Sequence, residues 1–213
     1  MTSRAPSSHR DSPGAVRALF GGTFDPIHVG HLILAELVAE AEGLAEVLFV
    51  PAGRPPHKEG QTTAGAEDRL QMVELAVAGN PRFAVSTIEL STREPSFTID
   101  TVRRLKAAGA ERVALILGSD SLVELGTWRE PEALVEECEL LVVARPGADL
   151  DQAPAAFRSR ARVVPAPRMD IASRTIRARV ARGQSIRYWV PEAVREYIAG
   201  HGLYRAPGAG PGA

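Results

Sequence analysis

Residues 19–31 read L-F-G-G-T-F-D-P-I-H-V-G-H, and the order of residue types within them decides the fold. An apolar run (Val16, Ala18, Leu19, Phe20) enters the pair Gly21-Gly22, a polar turn from Thr23 to Pro26 follows, and an apolar periodic segment begins near His28. That is the pattern of a strand, a glycine turn and a helix. Leu32, Leu34, Ala35, Leu37, Val38 and Ala39 make the apolar stripe of the helix, with Glu36, Glu40 and Glu42 off it. Lacking a Cβ, the two glycines let the backbone turn and let a ligand come close. The turn leads to a helix N-terminus, where N–H groups without helical partners and the positive end of the dipole favour an anion. His28 and His31, three residues apart, project from one face beside that end. Together these features describe a phosphate site, although the glycines fit neither G-x-G-x-x-G nor a Walker loop. Two plainer readings compete with it: polar residues on a helix start, or half of a zinc site. Zinc would need two more ligands, and His9, His57, His201 and Cys138 offer no closing pair at metal spacing, so no metal ligand is expected.

A chain of 213 residues that is 45% apolar suits one domain with a sizeable core. We place that domain at 15–205, between polar or Gly/Pro/Ala-rich tails at 1–14 and 206–213 that are expected to be disordered. A net charge of -1 gives no reason to expect nucleic acid or a membrane surface as partner. No apolar run approaches the roughly 18 residues of a membrane helix. The single cysteine, Cys138, and the absence of a hydrophobic segment in 1–14 suit a reducing cytoplasm. Cys138 itself sits in an apolar-acidic helix pattern and reads as a buried bystander.

Onward from the first helix, strands are expected at Glu46–Val50, Phe83–Ile88, Arg112–Leu117, Leu140–Ala144 and, at an edge, Arg162–Pro165. The run Arg112–Leu117 is continuously apolar after its first residue, which predicts a central strand of a parallel sheet. Helices are expected at Ala64–Gly79 (apolar side Leu70, Val73, Leu75, Ala76 and Val77), from Pro95–Phe97 to about Ala108, at Pro131–Cys138, near Asp151–Phe157, and at Val190–Gly200. Strand and helix alternate about five times, the pattern of an α/β fold with a doubly wound parallel sheet in one domain. Tyr197 and Tyr204 are expected to pin the end of the chain, with no part in a site.

Several segments carry candidate chemistry. The loop A-G-R-P-P-H-K-E-G at 52–60 places Arg54, His57 and Lys58 where they could meet an anion, and Lys58 and Lys106 are the only lysines among 25 basic residues. Ser96 or Thr98 could cap the helix that follows. In G-S-D-S-L, Gly118 allows close approach of a ring or ribose, while Asp120 could accept from sugar hydroxyls or cap a helix. Trp128 falls beyond a strand end, where open α/β sheets bind ligands. A run of nine arginines from Arg158 to Arg187 with one acid, Asp170, contrasts with a neutral chain. Within it, M-D-I-A-S-R-T-I-R starts a helix at Ala172 or Ser173 and brings Arg177 to the first turn, where its fork suits phosphate.

The block G-G-T-F-D-P-I-H-V-G-H resembles the H-x-G-H signature of nucleotidyltransferases related to class I aminoacyl-tRNA synthetases, and most of all the bacterial nicotinate-nucleotide adenylyltransferase family. Further matches follow in the family's order: P-P-H-K, S-x-T-x-x-T (Ser96, Thr98, Thr101), G-x-D-x-L (Gly118, Asp120, Leu122) and I-S-S-T-x-I-R (Ile171, Ser173, Ile176, Arg177). The resemblance implies a Rossmann-like fold and adenylyl transfer from ATP, with Mg2+, to nicotinate mononucleotide, giving nicotinate adenine dinucleotide and pyrophosphate on the way to NAD. By the same resemblance, Gly21, Gly22, Thr23, Phe24, His31, Gly118, Asp120, Ser173, Ile176 and Arg177 would contact ATP. Asp25, Pro56, His57, Lys58, Thr98 and Trp128 would contact the mononucleotide, and His28, His31 and Arg177 would serve catalysis. The chain departs from the family at Arg129, where tyrosine is common, and at Ala172 and Arg174, which replace hydroxyl residues. Phosphopantetheine or nicotinamide mononucleotide as substrate, and a nucleotide sensor without turnover, are the alternatives. Whether the protein forms a homo-oligomer is left open.

Overall fold

The computed structural model of the chain describes residues 16–54, 63–91, 95–144, 147 and 149–206. Strands β1 (Val16–Gly22), β2 (Val47–Pro51), β3 (Phe83–Val85), β4 (Arg112–Gly118), β5 (Glu139–Ala144) and β6 (Ala161–Pro165) form one sheet in the order β3-β2-β1-β4-β5-β6. Every neighbouring pair is parallel. Parallel strands need crossovers, and helices supply them: α1 (Val29–Ala41), α2 (Ala66–Val77), α3 (Thr98–Ala107), α4 (Ser119–Glu124), α5 (Pro131–Glu137) and α6 (Ala155–Arg158). After β6 the chain adds α7 (Ser173–Ala181) and α8 (Glu192–Gly200).

Side chains alternate across each strand, so an unbroken apolar run feeds two cores at once. Ala18, Phe20, Val47, Phe49, Ala114, Ile116, Leu141 and Val143 face one way, against Ala35 and Val38 of α1, Met72 and Val73 of α2, Ile176 of α7 and Val194 and Ile198 of α8. Leu19, Leu48, Val50, Val113, Leu115, Leu117, Leu140 and Val142 face the other, against Ile99 and Val102 of α3, Leu122 of α4, Leu134 of α5 and Phe157 of α6. The doubly wound sheet expected from the alternation of elements is therefore present, and β4 pairs on both sides, with β1 and β5.

Some boundaries shift. The third strand stops at Val85 rather than Ile88, because Ser86 N–H still reaches Phe49 O while the chain then turns, Leu90 N–H bonding Thr87 O. Neither Ser96 nor Thr98 caps α3; Phe97 is its N-cap residue, without a side-chain cap, and Ser96 Oγ accepts from Gly53 and Arg54 N–H instead. Asp120 does not cap α4 either, since Gly118 holds that place and Asp120 stands in the first turn. The buried stripe of α2 keeps Val73 and Val77 of the expected one, with Leu75 and Ala76 half-buried against the same core, and adds Met72 and a charge, Arg69. Cys138 is buried, its thiol donates to Leu134 O, and burial pushes its pKa up to about 12, so it stays a protonated core residue. Among the described residues no helix is long and apolar enough to cross a membrane. The expected tails lie outside the described residues, apart from Ala206.

Phe49 of β2, fully buried, links β1 and the turn after it to the edge strand β3 through ring contacts with Phe20 (5.4 Å), Phe24 (5.9 Å) and Phe83 (5.1 Å). Phe49→Ala should cost about 3–5 kcal/mol of stability by urea denaturation. A loss below about 1 kcal/mol would mean that these rings do not carry the core.

Candidate active site

The strand order runs 3-2-1 and then 4-5-6, so the direction of winding reverses between β1 and β4. Crossovers leave that point in opposite directions and open a crevice at the carboxyl ends of the two strands. A cavity of about 800 Å³ lies there, lined by Phe20–Gly22 at the end of β1, Leu115–Gly118 at the end of β4, His28, Gly30 and His31 of α1, and Ile171–Arg174 and Arg177 around α7. Gly21 and Gly118 border it where an added Cβ would meet nothing within 4 Å, so a ligand can reach both strand ends.

The glycine pair ends β1 rather than turning the chain. The turn falls on Phe24, in the left-handed region at φ 48°. Gly22 is needed for packing: a Cβ there would lie 2.9 Å from the Phe24 ring, which in turn stands edge-on to His31 at 5.1 Å. His28 is the N-cap residue of α1, and the imidazoles of His28 and His31 stack at 3.6 Å between centroids. His28 N–H donates to His31 Nδ1 at 3.2 Å. With Nδ1 accepting, the neutral His31 ring carries its proton on Nε2 and is a donor there. Gly30 makes room for the pair, since a Cβ on it would lie 3.0 Å from His28 Nδ1. The helix start is not wholly open, for Val29 N–H is taken by Trp189 O.

Three side chains fasten the T-F-D-P turn by its carbonyls. Arg69 Nη1 donates to Thr23 O (2.8 Å), Arg177 Nη1 to Asp25 O (2.6 Å) and Ser173 Oγ to Pro26 O (2.9 Å). The Asp25 carboxylate is 3% exposed and accepts from Thr63 N–H (2.9 Å), Ala64 N–H (3.3 Å) and Tyr204 OH (2.7 Å). Arg69 is also buried, at 2% exposure, and its Nη2 reaches Gly53 O (3.2 Å). Burial lowers the pKa of Arg69, while the Asp25 carboxylate opposes that shift. Residues 53–54 and 63–64, on either side of the undescribed 55–62, are thus both anchored at the cavity.

The sequence-predicted residues divide accordingly. Gly21, Gly22, Thr23, Phe24, His28, His31, Thr98, Gly118, Trp128, Ser173 and Arg177 all line the cavity. Asp25 borders it too, but its carboxylate is committed to Thr63, Ala64 and Tyr204, so it holds the turn rather than offering acceptors to a substrate. Ile176 does not line it; at 0% exposure it packs α7 into the core. Asp120 is exposed in α4 and Ser121 lines the cavity in its place. Pro56, His57 and Lys58 lie outside the described residues. Arg129 turns away, its guanidinium 4.8 Å over the Phe97 ring and 3.4 Å from Asp100 Oδ2, so the tyrosine-to-arginine departure leaves Trp128 at the wall. Among the described residues no group of three or more His, Cys, Asp and Glu could hold a metal.

The cytidylyltransferase-like family model matches residues 19–179. A Thermomicrobium roseum protein named "probable nicotinate-nucleotide adenylyltransferase" is 49% identical over 195 residues, covering 88% of this chain and 90% of that protein. The chain belongs to the nicotinate-nucleotide adenylyltransferase family. A Thermus thermophilus relative of the same name is 47% identical over 190 residues, covering 88% of this chain and 98% of its own. In fold it is similar to the Plasmodium falciparum nicotinic acid mononucleotide adenylyltransferase complexed with NaAD, with a TM-score of 0.75 at 19% identity over 89% of this chain and 97% of that one.

Reading the sequence missed Glu89, Arg69 and Tyr204. Glu89 lines the cavity, accepts from Thr101 Oγ1 at 2.6 Å and has its pKa raised by burial, against the pull of its hydrogen bonds with Thr101 and Ser96. For Arg69 a signal existed, a charge at i of the i, i+3, i+4 stripe of α2. Tyr204 had none, because a hydroxyl at the far end of a chain says nothing of its partner. The stacking of the histidines over Gly30 yields a prediction. Gly30→Ala should keep the circular dichroism spectrum and thermal midpoint of the native fold. It should lower turnover by about 10-fold or more, as the His28 ring is displaced from the first helical turn; unchanged turnover would mean that the ring has room to shift.

Proposed function

We propose that the protein transfers the adenylyl group of ATP to nicotinate mononucleotide, releasing pyrophosphate and forming nicotinate adenine dinucleotide for NAD synthesis. The observation that carries this reading is a histidine pair stacked over Gly30 at the β1–β4 crevice, in a chain 49% identical to a relative of that name. The phosphate of the mononucleotide is the nucleophile and is already anionic. Its oxygen bonds to the α-phosphorus as the bond from that phosphorus to the bridging oxygen breaks, and pyrophosphate carries the electron pair away. No protein nucleophile is needed, so the site works by alignment and by donors placed where charge develops. His31 Nε2–H would donate to the α-phosphate and His28 to the phosphate chain, while Arg177 and the first amides of α7 would hold the β- and γ-phosphates.

Trp128 offers a face to the pyridine ring. Thr98 opens α3, whose N-terminus has no side-chain cap, and its first amides suit the carboxylate of nicotinate better than a neutral carboxamide. Mg2+ accompanies ATP in this proposal. The ion would be held by phosphate oxygens and water. Bound there, the ion would neutralise charge on the leaving pyrophosphate.

Pyrophosphate release with ATP and Mg2+ tests the reading, with nicotinate mononucleotide, nicotinamide mononucleotide and phosphopantetheine supplied in parallel. Nicotinate mononucleotide should be strongly preferred; release with none of the three, despite ATP binding, would make the protein a nucleotide sensor. His31→Ala should fold normally and lose about 10²–10³-fold in kcat, the usual loss for one oxyanion donor. Near-normal turnover of that variant would sink the role given to His31.

A further inference from the structure

Tyr204 stands far along the chain from the histidines, yet its hydroxyl reaches Asp25 in the turn that leads to them. It is 8% exposed, and its backbone lies in the left-handed region at φ 63°, which costs a side-chain-bearing residue about 1 kcal/mol or more. Besides packing in the core and reaching Met72 Sδ at 4.0 Å, Tyr204 OH donates to Asp25 Oδ1 at 2.7 Å, the shorter of the two hydrogen bonds on that oxygen. Burial and the Asp25 carboxylate raise the pKa of the phenol, so the hydroxyl remains a donor wherever the protein is folded.

The other oxygen, Asp25 Oδ2, accepts from Thr63 N–H and lies 3.8 Å from Arg177 Nη1. That nitrogen bonds the backbone Asp25 O at 2.6 Å. Arg177, which lines the cavity, is therefore tethered to the turn by one donor and stands at the long end of ion-pair range from the carboxylate. Without the phenol, Oδ1 keeps only the longer bond from Ala64 N–H (3.3 Å), and the carboxylate can shift to tighten its 3.8 Å contact with Arg177, which would take charge and N–H groups away from a bound phosphate.

We propose that Tyr204 is a positioning residue for the ATP side of the reaction: by holding Asp25 Oδ1 it keeps the Asp25 carboxylate from capturing Arg177. This rests on the adenylyl-transfer reading in one respect only, that the anion met by Arg177 belongs to ATP. It assigns nothing to the mononucleotide side, which Trp128 and Thr98 border.

The test is Tyr204→Phe, which keeps the ring in the core and removes one oxygen. The KM for ATP should rise about tenfold, the worth of one hydrogen bond to a charged group, and kcat should fall. The KM for nicotinate mononucleotide should stay within about twofold. In parallel, the rise in thermal midpoint caused by ATP with Mg2+ should shrink relative to each protein's own unliganded midpoint, a comparison that holds even where the variant is less stable. Tyr197→Phe, which loses a surface contact with Asp68 (3.0 Å), should match the wild type in both. A Tyr204→Phe protein with the wild-type KM for ATP and the wild-type ATP-induced rise would overturn the proposal, whatever its own midpoint. So would a loss of kcat with both KM values unchanged, the mark of a merely structural role. A wild type that binds ATP without turning over any mononucleotide would defeat the proposed function instead, and the thermal measurement would still decide the place of Tyr204.

Discussion

A buried carboxylate has to be compensated on all sides, and in this protein Asp25 imposes that demand at the floor of the cavity. Leaving one in an apolar interior without partners costs several kcal/mol or shifts its protonation. Here two backbone amides, a phenol and two nearby guanidinium groups answer it. Those partners come from the loop before α2, from α2, from α7 and from the last residues described. Each must arrive for the others to be worth their burial, so one charge draws together segments that the sheet alone would leave independent. The turn carrying Asp25 is bound through its carbonyls as well, by Arg69, Arg177 and Ser173.

This arrangement suits a reaction in which both reacting groups are substrates. When the protein contributes no nucleophile, what it can offer is geometry set before binding and donors that need not reorganise. The structure supplies both from rigid parts. Strands β2, β4 and β5 are mostly buried, and the polar groups sit where β1 and β4 end. His31 has its tautomer set by a backbone amide, Gly30 and Gly22 leave space that two rings occupy, and Arg177 bonds the Asp25 carbonyl at 2.6 Å with the carboxylate farther off at 3.8 Å. Ser96, expected as a helix cap, instead ties Gly53 and Arg54 to the start of α3. Its hydroxyl serves the same end, fixing one loop of the cavity against another.

Much of this was open to reading from local pattern. The alternation of apolar runs with amphipathic segments specified the parallel sheet, and the continuous run of β4 placed it at the centre, because a strand covered on both faces has no polar side to show. The G-G-T-F-D-P-I-H-V-G-H block marked the site, since its glycines and paired histidines have a chemical meaning at short range. Less was open where a residue's role depends on a distant partner. Asp25 and Ile176 belong to the recognised motifs but act as a buried anchor and a core residue. Asp120 stands one residue from the wall that its neighbour Ser121 lines. In each case the motif locates a segment, and the direction of the side chain comes from packing.

The sequence by itself determined the fold class, the location of the cavity along the chain and the chemistry of the residues offered there. Those follow from periodicity, from the freedom of glycine and from the spacing of the histidines, all of which act over a few residues. Tertiary structure alone decided which polar groups face a ligand and which face each other. Arg69 lies on the apolar stripe of α2 and Tyr204 ends the described fold; neither has meaning until folding brings both within reach of Asp25. The physical reason is that electrostatic compensation of a buried charge is a property of three-dimensional distance, and the order of residues along the chain does not record it.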